Sequence, residues 1–418
     1  MKLLWFVFLF SSFAFAVDPY KIKPIGYEPV CDKSNIELKN LPPLRDQGRY
    51  GLCYAHSSLL LLEHLRCSNS PDPSSCYDKQ GSVLHLARFN HTRSEERIDI
   101  GGNPISVLSR FLDTKKLAPE KCAEYDDWKK LDQYQKEERK KLTLPDSERD
   151  EADYFYYISR RLKQNASFEE KSCWANELVE AGINQNIQDI MKVLNEGKGL
   201  EWQELRYQLL VPKSCLKEAT SYPDYTLHTF PKYNEKKSFK GFRDFIFRSL
   251  SAGVPVEASF KASFDGYHSA TIVGQRHVCD KLKCELQFKI QNSYGKSWQD
   301  IYDDGWVNAE NLTELMEHQS MGVSAILPKG KSLSMSVSAP YYENSPVRSN
   351  GSFSSSRKCW EVREGSQEFI TDDRGKRPPP VTTNPESRGE RGVWSCSKDG
   401  KKYFGEYALQ GWDCKKMQ

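Results

Sequence analysis

Residues 47–57 read Gln47-Gly48-Arg49-Tyr50-Gly51-Leu52-Cys53-Tyr54-Ala55-His56-Ser57, and an apolar run follows at once, Ser58-Leu59-Leu60-Leu61-Leu62-Glu63-His64-Leu65-Arg66. On a helix from Cys53 to Arg66, Leu59, Leu60, Leu61, Leu62 and Leu65 cover most of the circumference, so the spacing predicts a buried helix. Gly48 and Gly51 permit a tight backbone approach just before it. Cys53 therefore falls at the helix N-terminus, where unsatisfied amides and the positive end of the macrodipole stabilise a thiolate. A thiol in that position is a candidate nucleophile; the alternative is a small buried or bridged cysteine.

A thiolate cleaves no amide alone. A histidine must form the ion pair and protonate the leaving amine, and a third group must orient that imidazole. Of the eight histidines, His268 has the best setting, in Gly266-Tyr267-His268-Ser269-Ala270-Thr271-Ile272-Val273-Gly274. Asn292 follows in Phe288-Lys289-Ile290-Gln291-Asn292-Ser293-Tyr294-Gly295. The two runs flank Cys279 and Cys284, which read as the staple of a hairpin. A symmetric turn would set Thr271 opposite Asn292 and leave His268 three residues from that rung, a gap that a bulge or altered register would have to close.

Residues 47–57 resemble the nucleophile segment of papain-like cysteine peptidases, whose pattern is Q-G-x-C-G-S-C-W-A-F-S. Gln47, Gly48, Gly51, Cys53, Ala55 and Ser57 are in register; Leu52, Tyr54 and His56 depart, and Tyr50 stands where the family has a disulfide-bonded cysteine. The His268 run is similar to the family's histidine strand, and Asn292-Ser293-Tyr294-Gly295 resembles its N-S-W-G segment. Ile100-Gly101-Gly102-Asn103-Pro104-Ile105-Ser106-Val107-Leu108 resembles C-x-G-G-x-P-x-S-A-L, again without the cysteine, so both halves of one family disulfide are gone together.

The resemblance covers roughly residues 40–118 and 250–310. It implies an α+β, papain-like two-lobed fold, with a helical left subdomain and an antiparallel, β-barrel-like right subdomain. It implies that Cys53 attacks a peptide carbonyl and that Gln47 and the Cys53 N–H form an oxyanion hole. It also implies that His268 is the acid–base, that Asn292 orients it, that Tyr294 shields their hydrogen bond in place of a tryptophan, and that Gly101 and Gly102 let a substrate strand lie along the cleft wall. The implied partner is a polypeptide substrate; no cofactor and no metal is implied. An acyl transferase sharing the first half-reaction, and a non-catalytic peptidase-like binding module, are the alternatives.

Residues 1–16, MKLLWFVFLFSSFAFA, carry a basic start, an apolar core and a small-x-small ending, the pattern of a secretory signal cleaved after Ala16. The apolar stretch falls short of the ~20 residues that cross a bilayer. No later segment is apolar enough to span, so the expected location is secreted or periplasmic. In an exported chain the 12 cysteines should carry disulfides. Cys67 and Cys76 bracket a plausible second short loop. Parity adds that one free nucleophile leaves a second cysteine without a partner in the chain.

With 60 Lys+Arg against 57 Asp+Glu, the formal charge is +3, which rules out a nucleic-acid binder working through bulk basicity and a polybasic membrane binder. The 38% apolar fraction supports a sizeable core. Residues 17–330 read as the peptidase-like domain, with a charged helical insertion over about 119–215 that accounts for the 215 residues from Cys53 to His268, against roughly 130–150 in the family. Residues 240–330 turn to β character. Residues 331–418 read as a loosely ordered Ser/Pro-rich linker and a small Cys/Trp-bearing region. Residues 17–44 are too few for the family's inhibitory prosegment, so latency would come from a separate inhibitor or activator, from the tail, or from export itself. His56, one turn past Cys53, is expected to pack in the cleft wall rather than serve as base.

Overall fold

The computed structural model describes residues 28–29, 35–68, 70–91, 98–141, 154–232, 235–262, 266–279, 284–316, 322–333, 394–398, 401–405 and 413–416. The expected signal, residues 1–16, and most of the Ser/Pro-rich tail lie outside them. The chain divides into two compact units, Ile22–Asn350 and one made of Met1–Lys21 with Gly351–Gln418.

Within the larger unit, helix α1 (Cys53–Cys67) is the centre of the first core. Tyr54, Leu59, Leu61 and Leu62 are fully buried in it, beside Phe111, Leu131 and Phe155. Around α1 stand α2 (Pro73–Tyr77), α3 (Val83–Arg88) and α4 (Pro104–Thr114). The start of α4 follows from its sequence: the Asn103 side chain accepts from the Ser106 N–H, and Pro104 occupies the first turn, where no N–H is needed.

The charged stretch is helical as expected: α5 (Tyr125–Lys141), α6 (Tyr154–Lys163), α7 (Phe168–Glu180), α8 (Ile187–Glu196) and α9 (Trp202–Leu210). Ser167 and Glu170 form a reciprocal capping box at the start of α7. These helices do not simply coat the surface. Trp128, Leu131, Phe155, Ile158, Leu178, Leu194 and Leu205 join the α1 core. A Cys122–Cys215 disulfide ties the two ends of this helical stretch. Cys67–Cys76 also forms.

The second core lies on an antiparallel sheet of order β5-β10-β6-β7-β8-β9. Its strands are β5 (Tyr225–Phe230), β6 (Val256–Lys261), β7 (Tyr267–Cys279), β8 (Cys284–Gln291), β9 (Trp306–Asn308) and β10 (Gly322–Pro328). Two-residue strands β1 (Glu28–Pro29) and β2 (Ile36–Glu37) add to β7, while β3 (Lys116–Leu117) pairs with β4 (Thr220–Ser221) apart from it. Three helices interrupt the β-rich region: α10 (Phe239–Ser251), α11 (Gly295–Ile301) and α12 (Ala309–Met316). Phe242, Phe245, Ile246 and Leu250 of α10 recur at helical spacing and enter the core with Val256, Ile272 and Phe288.

Helices before strands is the α+β layout expected from the sequence. In the smaller unit, β11 (Trp394–Lys398), β12 (Lys401–Gly405) and β13 (Asp413–Lys416) make a three-stranded sheet in which Cys396 lies opposite Cys414. Among the described residues, no helix is long and apolar enough to cross a membrane.

Candidate active site

Helices of the larger unit start on the capping side chains of Asp72, Ser82, Asn103, Ser167, Asn186, Ser238 and Asn308. Helix α1 does not. Its N-cap is Leu52, which offers no acceptor, so the first N–H groups stay uncapped by any side chain. Burial pushes the Cys53 thiol up, and the backbone N–H groups of Ser269, Tyr54 and Cys53 itself pull it down. Cys53 is a free thiol, as is Cys173 on α7. Among the described residues, these are the two free cysteines.

On β7 the predicted symmetric pairing fails in an informative way. From Cys279↔Cys284 to Gly274↔Lys289 the register is symmetric about the turn, and Cys284 is disulfide-bonded. Beyond a bulge between Ile272 and Gly274, Ile272 pairs with Ile290 and Thr271 with Gln291. The next rung in that register sets Asn292 against Ala270, not against Thr271. Ala270 and His268 are two residues apart and share a strand face, which Thr271 and His268 do not. The bulge therefore brings the two side chains together, and His268 Nε2 lies 2.8 Å from Asn292 Oδ1.

That contact has a direction. The Ser293 N–H donates to the same Asn292 oxygen at 2.8 Å, so the amide presents its acceptor to the ring. Nε2 must donate, which leaves Nδ1 of the neutral imidazole as the basic nitrogen. Tyr294 stacks on the ring, with centroids 4.8 Å apart and planes 7° off parallel, and its hydroxyl lies 3.4 Å from Nδ1. Phe260 approaches edge-on from the other side at 5.5 Å.

Burial opposes separate charges here. It pushes the Cys53 thiol up to about 11, against the pull of the three N–H groups, and the His268 imidazole down to about 4, against the pull of Asn292. Burial thus disfavours a lone charge on either group.

Gln47 is buried and fixed at every polar atom but one. Its N–H donates to Ser293 O at 2.7 Å, and its side-chain oxygen accepts from the Ser293 hydroxyl. Its side-chain nitrogen donates one bond to Tyr50 O at 2.7 Å, and among the described residues the second N–H has no partner. The Tyr125 hydroxyl, on the first helix of the insertion, donates to Gln47 O at 2.5 Å. Asp132 on the same helix accepts from Tyr50 at 2.9 Å and pairs with Arg49. Where the resembled pattern has a cysteine, Tyr50 is thus anchored by a carboxylate and by edge contacts to Tyr125 and Trp128.

Gly51 lies against the Ile100–Gly101 backbone so closely that a Cβ would sit 2.7 Å from Gly101 N. Gly101 itself adopts φ +107° with open space where a side chain would be. His56 is buried, packs edge-on against Tyr125, and has neither ring nitrogen hydrogen-bonded among the described residues. It lines a cavity of about 20 Å³ behind the site together with Ser57, Ser269, Thr271 and Asn292.

Of the predicted residues, His268, Asn292 and Tyr294 are in direct contact and Gln47 joins them through Ser293, while Cys53 heads helix α1 and Gly101 flanks the segment leading into it. Gly102 packs close to the Tyr54 ring and Asn90. Phe260, Tyr125 and Asp132 were not singled out from the sequence, and only long-range pairing reveals them.

No protein-family model matches the chain, and no curated protein matches it. Among solved structures it is similar to the Amb a 11 cysteine protease of ragweed pollen in its proform, at 14% identity and TM-score 0.36, covering 71% of this chain and 67% of that one. It is also similar to xylellain, a cysteine protease from Xylella fastidiosa, at 14% identity and TM-score 0.35, covering 74% and 96%. A third likeness is to SERA5E from Plasmodium falciparum, at 13% identity and TM-score 0.32, covering 69% and 91%. Superpositions this loose assign a role to no residue.

Proposed function

We propose that the chain is an exported, papain-like cysteine endopeptidase. The Cys53 thiolate attacks the substrate carbonyl and forms a thioester. The Gln47 side-chain N–H and the Cys53 N–H hold the oxyanion. His268 gives its Nδ1 proton to the leaving amine, then takes one from the water that hydrolyses the thioester, while Asn292 keeps the ring in one tautomer. Tyr294 and Phe260 keep water from the His268–Asn292 bond, and the Gly101–Gly102 backbone supports the substrate strand. Residues 1–16 are the export signal, 17–330 the peptidase domain with its insertion at about 119–215, and 331–418 an appended region.

The observations that support this reading are the oriented bond from His268 Nε2 to Asn292 Oδ1, at 2.8 Å, and a free thiol at a helix N-terminus that no side chain caps. The Cys67–Cys76 and Cys122–Cys215 disulfides fit an oxidising compartment. The test is cleavage of a peptide library by the mature protein and by Cys53→Ala. That substitution removes a sulfur and little packing, so it should fold normally and cleave nothing. Equal cleavage by the two proteins ends the assignment.

A further inference from the structure

The strands beneath the site alternate in a way the proposed reaction does not use. Val256, Ala258, Ala270 and Ile272 point into the sheet's core. The residues between them are polar: Glu257 and Ser259 on β6, Ser269 and Thr271 on β7, and Ser324 on β10 beside Glu257. Glu257 is 1% exposed and makes no ion pair among the described residues. Three hydroxyls solvate it instead: Ser259 at 2.6 Å, Ser269 at 2.8 Å and Ser324 at 2.8 Å. Burial pushes the Glu257 carboxyl up, against the pull of the Ser259, Ser324 and Ser269 hydroxyls.

One of those hydroxyls leads out of the sheet. The Ser269 Oγ lies 2.5 Å from the Ser57 Oγ, on α1. Ser57 Oγ also reaches Tyr54 O at 3.2 Å, and the chain of contacts runs from helix to strand to Glu257. Its two ends are telling. Ser57 stands one helical turn beyond Cys53, and Ser269 directly follows His268.

Resting on the peptidase reading above, we propose that Ser57, Ser269 and Glu257 form a positioning bridge. It fixes the helix that carries the nucleophile against the strand that carries the base. None of the three side chains meets substrate. Their effect passes through the placement of Cys53 and His268, where sub-ångström errors are felt strongly in rate.

The test is alkylation of Cys53 by chloroacetamide across pH 5–10, followed by mass spectrometry so that Cys173 is read separately, together with kcat and KM on a peptide substrate. Ser57→Ala and Ser269→Ala should each slow Cys53 alkylation at pH 7 about tenfold and move its profile to higher pH, lowering kcat with little change in KM. The double variant should lose little more than either single one, because one bridge is broken in each case. Ser259→Ala, which removes a hydroxyl from the same carboxylate but not from the bridge, should alkylate at the wild-type rate. Ser57→Thr, which keeps the hydroxyl, should recover most of the loss.

Wild-type alkylation in either folded alanine variant overturns the bridge, and so does strict additivity or an equal loss in Ser259→Ala. Should Ser269→Ala fail to fold, the Ser57 pair of variants decides alone. A wild-type protein whose Cys53 alkylates normally but which cleaves no peptide overturns the peptidase reading and leaves the bridge to stand on its alkylation data.

Discussion

His268 and Asn292 meet at 2.8 Å across a hairpin that carries one extra residue on the histidine side. Without the bulge between Ile272 and Gly274, the asparagine would sit opposite a residue whose side chain leaves the other face of the sheet. Replacing Asn292 by alanine should therefore leave Cys53 alkylation measurable but reduce kcat roughly 10- to 100-fold, since the imidazole loses its fixed tautomer. Steady-state kinetics on one peptide substrate decides it, and an unchanged kcat would deny the asparagine any orienting role.

His56 has both ring nitrogens buried without hydrogen bonds, and burial with nearby cationic groups holds it well below its ordinary range, so it is neutral. His56→Phe removes two unsatisfied polar atoms and places an apolar ring against Tyr125. It should stabilise the fold by about 1–2 kcal/mol while leaving peptide cleavage intact. Denaturant midpoints of the two proteins measure the gain; a loss of stability would show that the ring nitrogens are satisfied by water in the adjoining cavity.

Two histidines away from the site make the fold sensitive to acid. Burial holds His64 and His85 down to about 4, and the Ala118 N–H donates to His85 Nδ1, a bond that protonation there would break. In the unfolded chain both titrate near 6.5. Between these values the unfolded state binds the extra protons, so stability is whole above about pH 6.5 and declines as the pH falls toward 4. The expected loss is roughly 1–3 kcal/mol per residue over that window. Melting temperatures at pH 7, 5.5 and 4.5 test it, and His85→Gln should flatten the slope.

The insertion braces the segment ahead of Cys53. Tyr125→Phe deletes only the hydroxyl that donates to Gln47 O. It should lower kcat/KM roughly three- to tenfold, in line with the loss of about 1 kcal/mol of positioning. Converting Cys122 and Cys215 together to serine opens the covalent tie at the insertion's base and should destabilise the protein by roughly 2–4 kcal/mol. Calorimetry on the double variant reads this directly.

Much of the arrangement could be read in the chain beforehand, and the failures share one cause. The α1 helix, the Cys279–Cys284 turn, the Cys67–Cys76 tie and the helical character of 119–215 all follow from local period and spacing. The bulge did not, because register is fixed by packing on both faces of β7 and not by the residues at the turn. The alternation Val256-Glu257-Ala258-Ser259 was visible, but which face would meet α1 was not. Tyr125 and Asp132 lie 72 and 79 residues beyond Cys53, and nothing local marks them as its neighbours. The helix α10 hid inside a stretch read as β because its phenylalanines favour either state.

The tie between Cys122 and Cys215 has a practical consequence. A sulfur that must stay a thiol and a sulfur–sulfur bond that must stay closed belong to the same machine, the second supporting the helix that braces the loop before the first. Reductant is thus double-edged: too little lets the working sulfur oxidise, too much opens the clasp. Activity plotted against redox potential should rise and then fall, with the optimum between the two couples.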